Sequence, residues 1–189
     1  MNLLTIDFDW IMAPVINAYN DMVGSHEDDI IGLWQLIKRR MPGINFQPDW
    51  NLFAKIRSIC EMYAGRLYKI QNHDQVVPFC EAGVEVLINL DHHHDYYGGD
   101  GLTFDCSNWV KRLEFRKQFK KYIWIPSPTS ILELDKKPNF FTASSEPMDT
   151  LRKYTIDQVV LCQSPQWLSP ECNELWEMFT STLDFLDKE

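Results

Sequence analysis

The chain lacks a run of apolar residues that could cross a bilayer, and it lacks a pair of cysteines spaced for metal binding. A transmembrane helix needs about 20 consecutive apolar residues, and the 189-residue sequence contains no such stretch. Its five cysteines are odd in number and form no Cys-x-x-Cys pair, which argues against a disulfide framework and a thiolate zinc site. We therefore expect reduced cysteines and no membrane association.

Basic side chains are scarce compared with acidic ones. The sequence has 18 lysines and arginines against 27 aspartates and glutamates, which gives a formal net charge of −9. This charge repels nucleic acid and favours the approach of cationic ligands such as arginine-containing peptides. The first residues carry no cations ahead of an apolar stretch, as a secretory signal would. We expect a cytoplasmic protein without a nucleic-acid partner.

The length and composition fit one globular domain. Apolar residues make up 45% of the chain and aromatic residues 13%, which is enough for a hydrophobic core. Because compact domains contain about 100–200 residues, we predict a single domain over residues 1–189.

Apolar, β-branched runs alternate with amphipathic segments along the chain, as in α/β proteins. Most of the runs end in polar residues or prolines, which is typical of buried parallel strands. We predict a three-layer, doubly wound α/β fold with a mostly parallel sheet. The predicted strands are 3–8, 66–70, 84–90, 122–125 and 158–162, the predicted helices are 11–23, 27–41, 50–63, 75–82, 107–119 and 170–186, and a polar stretch covers 129–150.

The most distinctive segment is Asp91-His92-His93-His94-Asp95, directly after a predicted strand. In extended backbone, successive side chains point to opposite faces, so Asp91, His93 and Asp95 are expected to share one face. Two carboxylates and an imidazole that converge at a strand end favour a bound cation, and an oxygen-rich ligand set suits Mn²⁺. The segment predicts a metal site. The alternative is a solvated histidine-rich loop that binds metal adventitiously.

Polar residues also end two other predicted strands. Asp7 and Asp9 close the first strand, and His73 follows the strand that ends at Ile70. In doubly wound sheets, ligands bind beyond the carboxyl ends of the strands, so all these side chains are expected at one rim. Six ligands are enough for two divalent ions, which can share carboxylates and activate a bridging water. The expected ligands are Asp7, Asp9, His73, Asp91, His93 and Asp95.

These segments resemble motifs of the arginase and deacetylase (ureohydrolase) superfamily. Leu90–Asp95 looks like its Asp-Ala-His-x-Asp motif, with His92 in place of the usual small residue. Asn72–Asp74 is similar to its Gly-Gly-Asp-His segment. Ile6–Asp9, with Pro14 beyond it, resembles its Asp-x-Asp-x-x-Asp-Pro strand end without the third aspartate. In arginases this strand follows the Asp-x-His-x-Asp strand, so the resemblance implies an arginase-like fold with permuted strand order.

Two further segments, Cys106–Val110 and Tyr122–Ile125, resemble a small arginase-like family that includes peptide arginases. Those enzymes convert arginine to ornithine within ribosomally made, post-translationally modified peptides. The resemblance implies the same reaction here, on an arginine-containing precursor peptide, with release of urea. A hydroxide that bridges two Mn²⁺ ions would attack the guanidinium carbon.

The resemblance also gives the ligands their roles. Asp7 and Asp91 would bridge the two ions. The other ligands would divide between the ions, His73 with Asp95 on one and Asp9 with His93 on the other. Asp95 is a candidate to return a proton to the leaving amine.

The residues that contact the substrate are open at the level of sequence. Glu61, Glu81 and Glu146 are candidate partners for a guanidinium group, and a solvated surface position is the alternative for each. Trp10, next to Asp9, is a candidate wall for the aliphatic stem of arginine, with core packing as its alternative.

Other protein classes fit parts of the sequence. Leu4–Asp9 also resembles the first motif of haloacid-dehalogenase-like phosphatases, in which Asp7 would be the nucleophile and Asp9 the acid. His94 and Asp95, with His73 upstream, resemble the dyad of HD-type phosphohydrolases, whose fold is all helical. A third interpretation is a non-enzymatic module that binds a precursor peptide around a structural metal, although such metal sites are usually closed and thiolate-rich.

Overall fold

The fold is seen in a computed structural model that describes residues 1–12, 30–43, 47–97, 105–130 and 138–186. Most of the predicted helix over 11–23, together with Pro14, lies outside the described residues. Within them, no helix combines the length and the apolar character that crossing a membrane requires.

A single parallel sheet forms the centre of the structure. Its six strands are arranged in the order β2-β6-β1-β3-β4-β5, and each neighbouring pair is parallel. For two strands, 84–90 and 158–162, the bounds predicted from the sequence agree with those observed. The strands are β1 (Asn2–Asp7), β2 (Leu67–Ile70), β3 (Val84–Leu90), β4 (Phe119–Ile125), β5 (Phe141–Ala143) and β6 (Gln158–Cys162).

Six α-helices and three 3-10 turns connect the strands in the described part of the chain. Asp49 caps one helix by accepting the backbone N–H groups of Asn51 and Leu52, a contact worth about 1 kcal/mol. The helices are α1 (Ile30–Arg40), α2 (Trp50–Met62), α3 (Val77–Cys80), α4 (Trp109–Phe115), α5 (Pro147–Leu151) and α6 (Pro170–Thr180), and the 3-10 turns are Phe8–Met12, His73–Val76 and Pro165–Trp167.

The two faces of the sheet bury alternate side chains against different helices. On one face, Leu4 and Ile6 belong to a buried apolar cluster with side chains of α1, α2 and α6. On the other face, Leu3 and Leu87 belong to a second cluster with side chains of α3 and α4. The strand period of two produces this separation, since adjacent residues point to opposite sides. The predicted three-layer α/β arrangement with a parallel sheet is therefore confirmed, and it is incompatible with the all-helical HD-type fold.

Some predicted elements differ from those observed. The helix predicted over 107–119 ends earlier, because Lys117 adopts a left-handed conformation with φ 57° and Phe119 already begins β4. The polar stretch 129–150 contains two short elements that were not predicted, β5 and α5. Both are too short for hydrophobic periodicity to reveal them.

The strand order places a crevice at the centre of the sheet. From β1 the chain moves to β2 on one side, whereas from β3 it moves to β4 and β5 on the other side. β1 and β3 are direct neighbours, and Ile6 pairs with Leu90 at their carboxyl ends. Connections that leave in opposite directions open a crevice beyond two neighbouring strands, where α/β proteins bind ligands. The residues that follow β1 and β3 border this crevice.

Candidate metal centre

The six ligands expected from the sequence come together at the carboxyl end of the sheet. Asp7 is the last residue of β1, and Asp9 lies in the 3-10 turn that follows. Asp91 comes directly after β3, and its Oδ1 accepts the backbone N–H of His93 at 2.8 Å. Two groups of these side chains have ligand atoms within 4.8 Å of one another, and they share one residue, Asp91.

The first group contains Asp7, His73 and Asp91. Asp95 also contacts His73, and we call these four residues the His73 half-site. His73 Nδ1 lies 3.1 Å from Asp7 Oδ2, 3.1 Å from Asp91 Oδ2 and 3.0 Å from Asp95 Oδ2. All four side chains are at most 4% exposed. Three carboxylate oxygens and an imidazole nitrogen thus face one small buried volume, which is a suitable donor set for a divalent cation.

The second group, the His93 half-site, consists of Asp9, Asp91 and His93. His93 Nδ1 lies 3.3 Å from Asp9 Oδ2, and the His93 side chain is 14% exposed. Asp9 Oδ2 and His93 Nε2 are buried and have no hydrogen-bond partner. Buried polar atoms are nearly always satisfied in folded proteins, so these atoms are consistent with a cation that completes the site.

A turn, and not a continued strand, brings Asp95 to His73. The backbone bends after β3, and Asp95 adopts a left-handed conformation with φ 50°, which aspartate tolerates better than most residues. Trp109 Nε1 donates a hydrogen bond to Asp95 Oδ2 at 2.5 Å, and the Trp109 ring lies 4.9 Å from the His73 ring. The prediction that extended alternation would align Asp91, His93 and Asp95 was therefore wrong in its geometry, although the three side chains do reach the same site.

One hydrogen bond orients the ring of His73, and others fix the backbone turn that carries it. Its Nε2 shares a 2.6 Å hydrogen bond with Thr5 Oγ1, which leaves Nδ1 directed at the carboxylates. The turn that carries His73 is fixed by Gln75, whose side chain accepts the backbone N–H groups of Gln71 and Asn72 at 2.9 and 3.0 Å. Groups that hold the second nitrogen of a histidine set the tautomer and the orientation of a metal ligand.

Hydrogen bonds from the turn after β6 and from β3 also hold the carboxylates. Ser164 Oγ donates to Asp7 Oδ2 at 2.5 Å, and Asn89 Nδ2 donates to Asp91 Oδ2 at 3.0 Å. Sequence reasoning missed these partners, as it missed Thr5 and Trp109. For Thr5 and Asn89 a signal was present, because each is a polar residue two positions before a ligand in a largely apolar strand, and therefore on the same face.

The charges of the site are poorly balanced by the protein alone. Burial raises the pKa of Asp9 well above its usual value, and the negative charges of Asp7 and Asp91 raise it further. Burial and the charge of Asp91 also raise the pKa of Asp95. Burial opposes the charged form of His73, but hydrogen bonds to Asp7, Asp91 and Asp95 outweigh it and raise the pKa of His73. Protonation would relieve this excess of buried negative charge, and a divalent cation would relieve it in the same way, so the residues fit a divalent metal ion.

The other two histidines of the segment 91–95, His92 and His94, contact different residues. His92 Nδ1 shares a 2.7 Å hydrogen bond with Ser127 Oγ, and burial together with the neighbouring His93 lowers the pKa of His92 to about 3. His94 stacks on Tyr97 with ring centroids 4.1 Å apart. His92 and His94 therefore connect the segment to the surrounding loops.

The four residues expected to contact the substrate lie elsewhere. Glu61 is at the end of α2 and pairs with Arg57, and Glu81 precedes β3, so both lie at the amino end of the sheet, opposite the ligands. Glu146 follows β5 at the edge of the sheet and is exposed. Trp10 is 2% exposed and belongs to the core cluster of α1, α2 and α6. Core packing, the alternative stated for Trp10, describes its position.

Comparison with known proteins adds no relative. Protein-family models, curated proteins and solved structures were all searched, and none of them matches the chain. The identity of the site therefore has to come from its residues, and these support a buried Asp/His centre that could hold a metal ion.

Proposed function

We propose that this protein is a metal-dependent hydrolase that converts arginine within a peptide to ornithine and releases urea. The observation that carries the proposal is that two ligand groups share Asp91, which suits a pair of divalent cations bridged by a carboxylate. The donor set of four carboxylates and two imidazoles favours Mn²⁺ over metals that prefer thiolates.

In this proposal each half-site would hold one Mn²⁺. His73, Asp7 and Asp95 would hold the first ion, and Asp9 and His93 would hold the second, with Asp91 between them. By the resemblance to arginases, Asp7 would interact with both ions. Asp7 belongs to the His73 half-site, and its charge adds to the effect of burial in raising the pKa of Asp9 in the other half-site. Bound cations would supply an activated water and positive charge that stabilises a tetrahedral intermediate.

The strand order is compatible with a permuted arginase-like fold. β1, which ends in Asp7, opens the chain, and yet it pairs directly with β3, which precedes Asp91. Ligands from these two strands can share an ion only if the strands are neighbours, and that requirement is met. The proposal that the fold is related to arginases is supported by this arrangement together with the resemblance of the short motifs.

The protein groups themselves would exclude water and fix the ligands. The ligands other than His93 are almost fully enclosed, so electrostatic interactions within the site are strong. Trp109 holds Asp95 in a fixed orientation, which suits the role of returning a proton to the leaving amine. The net charge of −9 favours the approach of a cationic substrate such as peptidyl arginine.

The decisive test is incubation of the Mn²⁺-loaded protein with arginine-containing peptides, followed by mass spectrometry and a urea assay. We expect a mass loss corresponding to the conversion of arginine to ornithine, with one urea released per conversion. Asp91→Ala should lower turnover at least a thousandfold and remove bound metal, because both half-sites lose a ligand. Asp149→Ala, a change at an exposed aspartate of α5, is the matched control and should retain both metal and activity.

The outcomes of this test separate the alternatives. Phosphate release from an aryl phosphate that survives Asp91→Ala would favour the phosphatase interpretation, in which Asp7 and Asp9 act. Bound metal with no turnover of any arginine peptide would favour the non-enzymatic peptide-binding module. Full activity and full metal content of Asp91→Ala would contradict every interpretation that places metal between the half-sites.

A further inference from the structure

The turn that follows β6 is attached to the metal centre. Ser164 adopts a left-handed conformation with φ 48°, is fully buried, and donates its hydroxyl to Asp7 Oδ2. The backbone N–H of Trp167 then bonds Ser164 O at 2.9 Å, which closes the 3-10 turn Pro165–Trp167. A buried left-handed serine is an unusual and costly conformation, and here it fixes the turn against a ligand of the His73 half-site.

Gln166, in the same 3-10 turn, connects this turn to the segment that precedes α4. Gln166 forms a side-chain hydrogen bond with Cys106. Burial raises the pKa of the Cys106 thiol, and the nearby charges of Asp95, Asp105 and Asp7 raise it further. The turn is thus held at Asp7 and at Cys106. A side chain carried by such a turn has a defined position relative to the site.

Trp167 lies over the most exposed ligand. Its ring centroid is 4.9 Å from that of His93, with an angle of 49° between the ring planes. His93 is 14% exposed, whereas the other five ligand side chains are at most 4% exposed. Trp167 itself is half-buried, in contrast to the five tryptophans that are at most 2% exposed, namely Trp10, Trp34, Trp109, Trp124 and Trp176. Among the described ligands, His93 is therefore the one that solvent reaches most, and Trp167 packs against it.

We propose that Trp167 recognises the cationic side chain of the substrate as it enters the His93 half-site. An indole packs well against an aliphatic stem and attracts a guanidinium group over its face. The position next to His93 places this surface beside the most exposed ligand, where Trp10 had been expected from the sequence. This inference rests on the proposed function, since it takes its ligand to be peptidyl arginine.

The test compares an aromatic and an aliphatic replacement of Trp167. Trp167→Phe keeps an aromatic face, whereas Trp167→Leu keeps only apolar packing. For Trp167→Leu we expect the KM for an arginine peptide to rise about tenfold, with kcat changed less than about threefold. Trp167→Phe should fall between Trp167→Leu and the wild type. Trp50→Leu, at an exposed tryptophan of α2, is the control and should behave as the wild type.

A binding measurement separates failure of this inference from failure of the proposed function. Fluorescein-labelled peptides that contain either arginine or its neutral isostere citrulline are titrated with the Mn²⁺-loaded protein, and Mn²⁺ affinity is measured in parallel by calorimetry. Loss of the preference for arginine over citrulline in Trp167→Leu, with Mn²⁺ affinity unchanged, would support the inference even if no urea is formed. An unchanged preference would overturn it. A parallel loss of Mn²⁺ affinity would also overturn it, because Trp167 would then act by holding His93.

Discussion

The two half-sites of the metal centre share Asp91 but differ in how their ligands are held. In the His73 half-site, hydrogen bonds from Thr5, Ser164 and Trp109 fix His73, Asp7 and Asp95. In the His93 half-site, the ring nitrogen Nε2 of His93 has no hydrogen-bond partner comparable to the Thr5 hydroxyl on His73 Nε2, and His93 is the most exposed ligand. Ligands that are already oriented lose less entropy when a metal binds.

Because of this difference, we expect the two half-sites to have different roles. The enclosed His73 half-site is suited to bind one ion tightly. The open His93 half-site is suited to bind a second ion more weakly and to admit a substrate, since a catalytic metal needs a free coordination position. Removing one histidine at a time should therefore have unequal consequences.

The largest expected effect is on metal stoichiometry. His93→Ala should leave one tightly bound Mn²⁺ per chain, whereas His73→Ala should weaken the tight site by about a hundredfold or more. Calorimetric titration of the metal-free proteins with Mn²⁺ measures both the number of ions and their affinities. Asp149→Ala, at the exposed aspartate of α5, is the control and should retain both ions. Equal losses in His73→Ala and His93→Ala would show that the half-sites are equivalent.

A smaller effect is expected from the hydroxyl of Thr5. Thr5→Val has nearly the same shape but cannot hydrogen-bond His73 Nε2, so the tight site should weaken by roughly tenfold to a hundredfold. Thr5→Ser keeps the hydroxyl and should restore most of the affinity. The weaker site should be unaffected in both variants, because Thr5 contacts only the His73 half-site. An equal weakening of both sites in Thr5→Val would indicate a general disturbance of β1.

The smallest effect concerns the stability of the metal-free protein at different pH values. The pKa values of His73, Asp9 and Asp95 are all raised by folding, so the folded chain binds more protons than the unfolded chain. Stability should therefore fall as pH rises above about 4, the ordinary pKa of aspartate, and continue to fall through neutral pH. The pKa of Asp91 is lowered, since contacts with His73 outweigh burial, and this acts in the opposite sense only at lower pH.

Thermal unfolding measures this dependence. We expect the melting temperature of the EDTA-treated protein to fall by roughly 5 °C between about pH 5 and pH 8. Saturating Mn²⁺ should remove or reverse the trend, because metal binding replaces the protons and favours deprotonated ligands. A metal-free protein whose stability rises over the same range would show that the carboxylates are balanced by other charges.

Sequence patterns located the strands that matter for the site and the residue types that end them. The apolar run before Asp91 and the run that ends at Cys162 were long and regular enough to define β3 and β6 correctly. Asp7, His73 and Asp91 could be expected at one rim, because parallel strands align their carboxyl ends. Asp95 also reached the site, although through a left-handed turn that strand periodicity does not predict.

The supporting contacts could not be predicted in the same way. Ser164 and Asp7 are separated by 157 residues, and only the pairing of β6 with β1 brings them together. Trp10 and Trp167 show the same limit: one follows Asp9 directly but turns into the core, and the other is distant in sequence but lies against His93. Adjacency along the chain is a poor guide to adjacency around a site formed by several strands.

The chemistry available at the carboxyl end of the sheet can be read from the amino-acid sequence: carboxylates and imidazoles follow apolar strands, in a chain of negative net charge. The tertiary structure sets which ligand side chains lie close to one another. It made Asp91 common to both groups, enclosed His73 and left His93 open, because the order β6-β1-β3 sets the neighbours of each strand end. Side-chain chemistry is local and can be read along the chain, whereas shared ligands and exposure arise from contacts between residues far apart in sequence.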